Sequence, residues 1–122
     1  VITEAVHVLI VDDQESFRSA ARLVIESTEG FEVVGEARSG EEGVAMATNL
    51  HPNLILMDIN LPGIDGLEAT RRIVSMLPEI KVVGLSTYTE YEERVLKAGA
   101  RAFVSKSEFE PTKLAEIWAS DD

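Results

Sequence analysis

The 122 residues carry 22 acidic against 11 basic side chains, a net charge of −11, with 45% hydrophobic residues and no cysteine. A chain of that length buries one core of ordinary size and not two, so residues 1–122 are read as a single domain. The charge would repel a phosphate backbone, which argues against DNA binding by this chain itself, and the absence of thiols excludes disulfides, a cysteine nucleophile and thiolate metal ligands.

The opening Val1-Ile2-Thr3-Glu4-Ala5 lacks the basic region of a signal peptide, and no apolar run approaches the ~20 residues of a membrane span. A cytoplasmic protein is expected, with no membrane partner. The chain does not begin with Met and ends at Asp121-Asp122, so it is expected to be a processed or excised piece.

The first predicted strand, Val6 to Val11, is β-branched and almost wholly apolar, and it opens onto Asp12-Asp13. Phe17, Ala20, Ala21, Val24 and Ile25 then repeat at helical spacing and predict one buried helix face, with Gly30 as the closing residue. Phe31 to Ala37 is a second strand. Ser39 and Glu42 have the spacing of a capping box, which starts a helix that turns Val44, Ala47 and Leu50 inward and stops at His51-Pro52.

Leu54-Ile55-Leu56-Met57 is the most apolar strand, and it runs into Asp58, where the chain leaves the core for solvent. Asp65 with Glu68 caps the next helix, whose inner face is Leu67, Thr70, Ile73, Val74 and Leu77, ended by Pro78. Ile80 to Ser86 is the fourth strand. Thr89 with Glu92 predicts a cap for a helix ending at Lys97-Ala98 and Gly99, and its Tyr91, Arg94, Val95 and Lys97 make a candidate partner face. Ala102-Phe103-Val104 is a short fifth strand before Ser105-Lys106; Pro111 opens a last helix bearing Leu114, Ile117 and Trp118.

Five alternations of buried-type strand and helix predict an α/β, doubly wound parallel sheet of five strands and five helices. Right-handed crossovers place all strand carboxyl ends on one edge, where such sheets bind ligands. That edge would gather Asp12, Asp13, Asp58, Ser86, Thr87 and Lys106. Converging carboxylates repel one another unless one is protonated or a cation neutralises them, and an all-oxygen set favours Mg²⁺. A carboxylate so placed can also accept a phosphoryl group. His7 and His51 have no carboxylate at metal-ligand spacing and are assigned to structure or solvent, and Trp118 to the core.

Taken together, the acidic pair Asp12-Asp13, the run Met57-Asp58-Ile59-Asn60-Leu61-Pro62-Gly63-Ile64-Asp65-Gly66, the Ser86 ending the fourth strand and Phe103-Val104-Ser105-Lys106 resemble a receiver domain of a two-component response regulator. The resemblance implies a flavodoxin-like strand order 2-1-3-4-5. It implies Asp58 as phosphoacceptor and a Mg²⁺ site of Asp12, Asp13, Asp58 and the main-chain carbonyl of Asn60, with Asp12 acting through water. Lys106 would pair with phosphoryl oxygens, Ser86 would be the switch hydroxyl, and Phe103 the aromatic that follows it. Pro62, Gly63 and Gly66 would shape the loop after Asp58.

The implied function is a signalling switch, not an enzyme acting on an outside substrate. A histidine kinase or phosphotransfer protein would be its partner, with a homodimer also possible. Ser107 stands where the family commonly has Pro after the Lys, and a non-proline cis bond there would cost ~2.5–4 kcal/mol. With this feature the chain looks most like receivers of the LuxR/NarL/FixJ type, whose full-length members contact DNA through a downstream output domain. Two other classes remain open: a pseudo-receiver that keeps the fold without phosphorylation, and a flavin or nucleotide enzyme. The latter would need a phosphate-cradling loop where this chain has the acidic, glycine-free Asp12-Asp13-Gln14-Glu15.

Overall fold

The computed structural model describes residues 4–120. Strands β1 (Val6–Val11), β2 (Phe31–Ala37), β3 (Leu54–Asp58), β4 (Lys81–Ser86) and β5 (Ala102–Ser105) alternate with helices α1 (Glu15–Glu26), α2 (Gly40–Leu50), α3 (Gly66–Met76), α4 (Glu92–Lys97) and α5 (Pro111–Ala119). All pairings are parallel, and the order across the sheet is β2-β1-β3-β4-β5, as expected.

The inner strands are largely apolar on both faces because both faces are covered, whereas edge strand β2 is mostly half-buried and carries Glu32 and Glu36. Successive side chains point to opposite sides, so Leu9, Val11, Ile55 and Met57 join one cluster with Ala47, Ala69, Ile73 and Val95 from α2, α3 and α4. Val8, Ile10, Leu54 and Leu56 join the other with Ala21, Ile25 and Leu114 from α1 and α5. β3 is buried along its whole length, which fixes its carboxyl end, and therefore Asp58, against the rigid centre of the molecule.

Several local expectations hold. Ser39 accepts a hydrogen bond from the Glu42 amide at 3.1 Å, and Asp65 accepts one from the Glu68 amide at 2.9 Å. Pro111 occupies the first turn of α5. Half-buried Trp118 stacks edge-on against Phe31, with ring centroids 6.4 Å apart, and Lys81 lies over its indole. His7 pairs with Glu32 across the strands at 3.1 Å, and His51 caps α2 in the left-handed conformation.

Others are corrected. In α1, Ala20 faces solvent and Arg18 is buried in its place, because the guanidinium finds partners on the inner side and a methyl group gains little there. The helix ends at Glu26 with Ser27 as its C-cap, and Gly30, at φ +90°, belongs to the turn into β2. Leu50 is 41% exposed: it lies over Gly35 on the edge strand β2, beyond which no strand covers it. Thr89 caps nothing. Thr89–Tyr91 form a 3₁₀ turn, and α4 begins only at Glu92 without a side-chain cap. Val95 is fully buried, which removes it from the exposed face of α4.

Candidate functional site

The acids, the alcohol and the amine converge at the carboxyl edge of the sheet because neighbouring strands end in register. Val11 lies beside Met57, so the next residues, Asp12 and Asp58, are neighbours across the strands. Asp58 in turn lies beside Leu85, one residue before Ser86, and Ser86 lies beside Ser105, one residue before Lys106. Asp12, Asp13 and Asp58 each offer a carboxylate oxygen within 4.8 Å of the others. Asp12 and Asp58 are buried and Asp13 is exposed. A cavity of about 260 Å³ opens over them, lined by Asp13, Asp58, Asn60, Thr87, Tyr88 and Lys106.

Each buried carboxylate is held. Asp12 Oδ1 accepts from the Gln14 amide at 2.8 Å, and Lys106 Nζ lies 2.7 Å from Asp12 Oδ2 and 3.6 Å from Asp58 Oδ1. Asp58 Oδ1 also accepts from the Asn60 amide at 3.2 Å. Burial pushes the Asp58 carboxyl up to about 6, and the charge of Asp12 adds to that; Lys106 and the Asn60 amide pull the other way without cancelling it. The site thus holds more negative charge than its own cation neutralises.

A hard divalent cation fits this donor set. The ligands on offer are oxygens, three carboxylates face one space, and no described histidine joins the cluster. The loop after Asp58 is closely packed: a Cβ on Gly66 would collide with the Asp58 carbonyl oxygen, Gly63 takes φ +75°, and the Ile64 amide donates to Glu41 of α2 at 3.2 Å.

The expected site residues therefore gather, with one difference in how they are used. Fully buried Ser86 does not turn its hydroxyl to the carboxylates; it donates to Asn60 Oδ1 at 3.0 Å and accepts from the Tyr88 amide at 3.0 Å. Sequence reasoning gives Asn60 a role only through its carbonyl and misses its side chain, for which an amide two residues after Asp58 is the available signal. Phe17, a core residue by its helical spacing, also borders the site: Lys106 Nζ sits 4.5 Å from its ring centre. Phe103 is half-buried against the α2–α4 face of the sheet. No cis peptide occurs among the described residues, so Lys106–Ser107 is trans, and Ser107 Oγ lies 3.0 Å from Ser105 Oγ.

Residues 8–118 match the family described as the response regulator receiver domain. The chain belongs to that family. It is 41% identical over 103 residues to the response regulator GacA of Pseudomonas viridiflava, covering 83% of this chain and 48% of that one. It superposes on the response regulator domain of Thermotoga maritima CheB with a TM-score of 0.86 at 29% identity, covering 96% of each. A two-component response regulator of the LuxR family from Aurantimonas sp. gives 0.85 at 28% identity, covering 95% of this chain and 84% of that one.

The receiver spans about half the length of the curated relatives it matches. As a receiver domain it is a signalling part of a two-component system, and its acidic pocket fits Mg²⁺. Within the described residues no helix is long and apolar enough to cross a membrane.

Proposed function

We propose that Asp58 is the phosphoacceptor of a cytoplasmic switch, fed by a histidine kinase or phosphotransfer protein, and that residues 1–122 form its receiver unit. The observation that carries this reading is the meeting of the Asp12, Asp13 and Asp58 carboxylates within 4.8 Å beside the Lys106 ammonium. Asp12, Asp13, Asp58 and the Asn60 carbonyl would hold Mg²⁺, with Asp12 acting through water. A bound ion would neutralise charge on the transferred group.

In the transfer, one Asp58 oxygen attacks the phosphorus of a phosphohistidine. The P–N bond breaks, its electron pair returns to the imidazole, which takes up a proton, and an acyl phosphate remains. Lys106 exchanges Asp12 for a phosphoryl oxygen, a move suited to an ammonium on a flexible stem. Ser86 exchanges Asn60 Oδ1 for another, drawing the segment after β4 inward, and Phe103 reorients. The face formed by Tyr91, Arg94 and Lys97 then changes its affinity for a partner, including a second copy of the receiver. Control of a LuxR/NarL-type DNA-binding output domain, lying outside this chain, is the consequence.

Incubation with acetyl phosphate and Mg²⁺ should give a phosphoryl adduct by mass spectrometry, absent from Asp58→Asn. The same adduct on Asp58→Asn would place the acceptor elsewhere. Failure of the parent chain to bind Mg²⁺ on titration would favour the pseudo-receiver.

A further inference from the structure

Beneath the acid pair lies a buried guanidinium that neither the metal nor the phosphoryl chemistry uses. Arg18, on the first turns of α1, donates from Nη1 to the main-chain oxygen of Asp12 at 2.7 Å and from Nε to Glu36 Oε1 of β2 at 3.2 Å. Glu36 is itself fixed from outside by Arg22, 2.7 Å from its other oxygen. A continuous chain of contacts thus runs from β2 through Arg18 to the end of β1.

The contact falls on the one peptide plane that joins Asp12 to Asp13. Its oxygen is the Asp12 carbonyl and its nitrogen belongs to Asp13, so whatever holds that oxygen fixes the plane from which the Asp13 Cα projects and narrows the directions open to its side chain. The remaining polar atoms of Asp12 are already tied: its amide donates to Ala37 at 3.0 Å, Oδ1 accepts from Gln14, and Oδ2 faces Lys106. Asp13 is exposed, and among the described residues no hydrogen bond or ion pair fixes its carboxylate. Its aim depends on the backbone beneath it.

We infer that Arg18, braced by Glu36, is a positioning residue for the cation site: it clamps the Asp12–Asp13 peptide so that the Asp13 carboxylate meets those of Asp12 and Asp58. This rests on the reading of that pocket as a Mg²⁺ site. Its sign separates it from a simple charge effect. Arg18 is a cation close to the acids, so if only its charge mattered, removing it would tighten Mg²⁺ binding. A positioning role requires the opposite, because supporting residues that orient metal ligands typically contribute roughly 10–100-fold to affinity.

The test is Mg²⁺ titration by calorimetry of the parent chain, Arg18→Met, Arg18→Lys and Glu36→Gln, with Ile25→Val as a core change on the same helix. Amide spectra of the metal-free proteins are recorded alongside. Arg18→Met should weaken Mg²⁺ by roughly 10-fold and shift the Asp13 amide resonance before any metal is added. Arg18→Lys, which keeps one donor but not the fork, and Glu36→Gln should fall between it and the parent, while Ile25→Val should leave both readouts unchanged. If Arg18→Met does not fold, Arg18→Lys and Glu36→Gln carry the comparison. Unchanged or tighter Mg²⁺ binding in the folded variants overturns the inference. A parent that binds no Mg²⁺ overturns it together with the metal-site reading; a parent that binds Mg²⁺ but forms no adduct sinks the phosphoacceptor reading alone.

Discussion

Lys106 rests on Asp12, not on Asp58: its ammonium is 2.7 Å from Asp12 Oδ2 and 3.6 Å from Asp58 Oδ1, with the Phe17 ring 4.5 Å away. Asp12 is 1% exposed, so this pair is desolvated and removal of one partner leaves an uncompensated charge. Lys106→Met should destabilise the metal-free chain by roughly 3 kcal/mol in urea unfolding at neutral pH. Saturating Mg²⁺ should recover part of that loss, because it supplies positive charge to the same acids.

Asp58 gives a pH dependence of unusual sign. Its carboxyl is raised from 3.8 to about 6, chiefly by burial, so the folded chain holds this proton more tightly than the unfolded chain. Stability therefore falls as pH rises between those values and is flat above about 6, where the full penalty is present. Asp58→Asn should stabilise the metal-free chain at pH 7.5 by roughly 1–3 kcal/mol and give no gain below pH 4. Equal stabilities at pH 7.5 would show that the burial penalty is already relieved by other means.

The Ser86–Asn60 hydrogen bond predicts an energetic coupling. Ser86 is fully buried, and Asn60 Oδ1 is the acceptor for its hydroxyl. A double-mutant cycle of Ser86→Ala and Asn60→Ala should return a coupling of about 1 kcal/mol. Asn60→Ala alone should shift the Thr87 and Tyr88 amide resonances, since the Tyr88 amide donates to the same hydroxyl. Additive energies would mean that the two side chains do not hold each other in solution.

Gly66 is the tightest fit in the loop after Asp58, where a β-carbon would strike the Asp58 carbonyl oxygen. The obstacle is backbone, which cannot swing aside as a side-chain tip can. Gly66→Ala should cost about 1–3 kcal/mol in thermal or urea unfolding and weaken Mg²⁺, because relief requires moving the backbone of Asp58 or Ile59. Full Mg²⁺ affinity in a destabilised variant would separate the packing role from the site.

The sequence by itself determined the layers and the edge on which the polar residues gather. Runs such as Val8 to Val11 and Leu54 to Met57 are apolar on both faces, and only a covered parallel sheet buries both, which carries Asp12, Asp13, Asp58, Ser86 and Lys106 to a common edge. Local hydrogen-bonding chemistry likewise set the starts of α2 and α3 at Ser39 and Asp65, because those partners lie within one helical turn.

What only the tertiary structure decided is which distant atoms meet. It placed Lys106 on Asp12, Ser86 on Asn60 Oδ1 and Arg18 beneath the Asp12 carbonyl, and it turned Ala20 outward and Val95 inward. Thr89 had the spacing of a cap, yet the chain leaving β4 turns through a 3₁₀ segment first. Periodicity reports the face a residue occupies, averaged over a turn or a pleat. Hydrogen bonds and ion pairs depend on ångström separations between atoms far apart in the chain, and those exist only once strands, helices and loops are packed together.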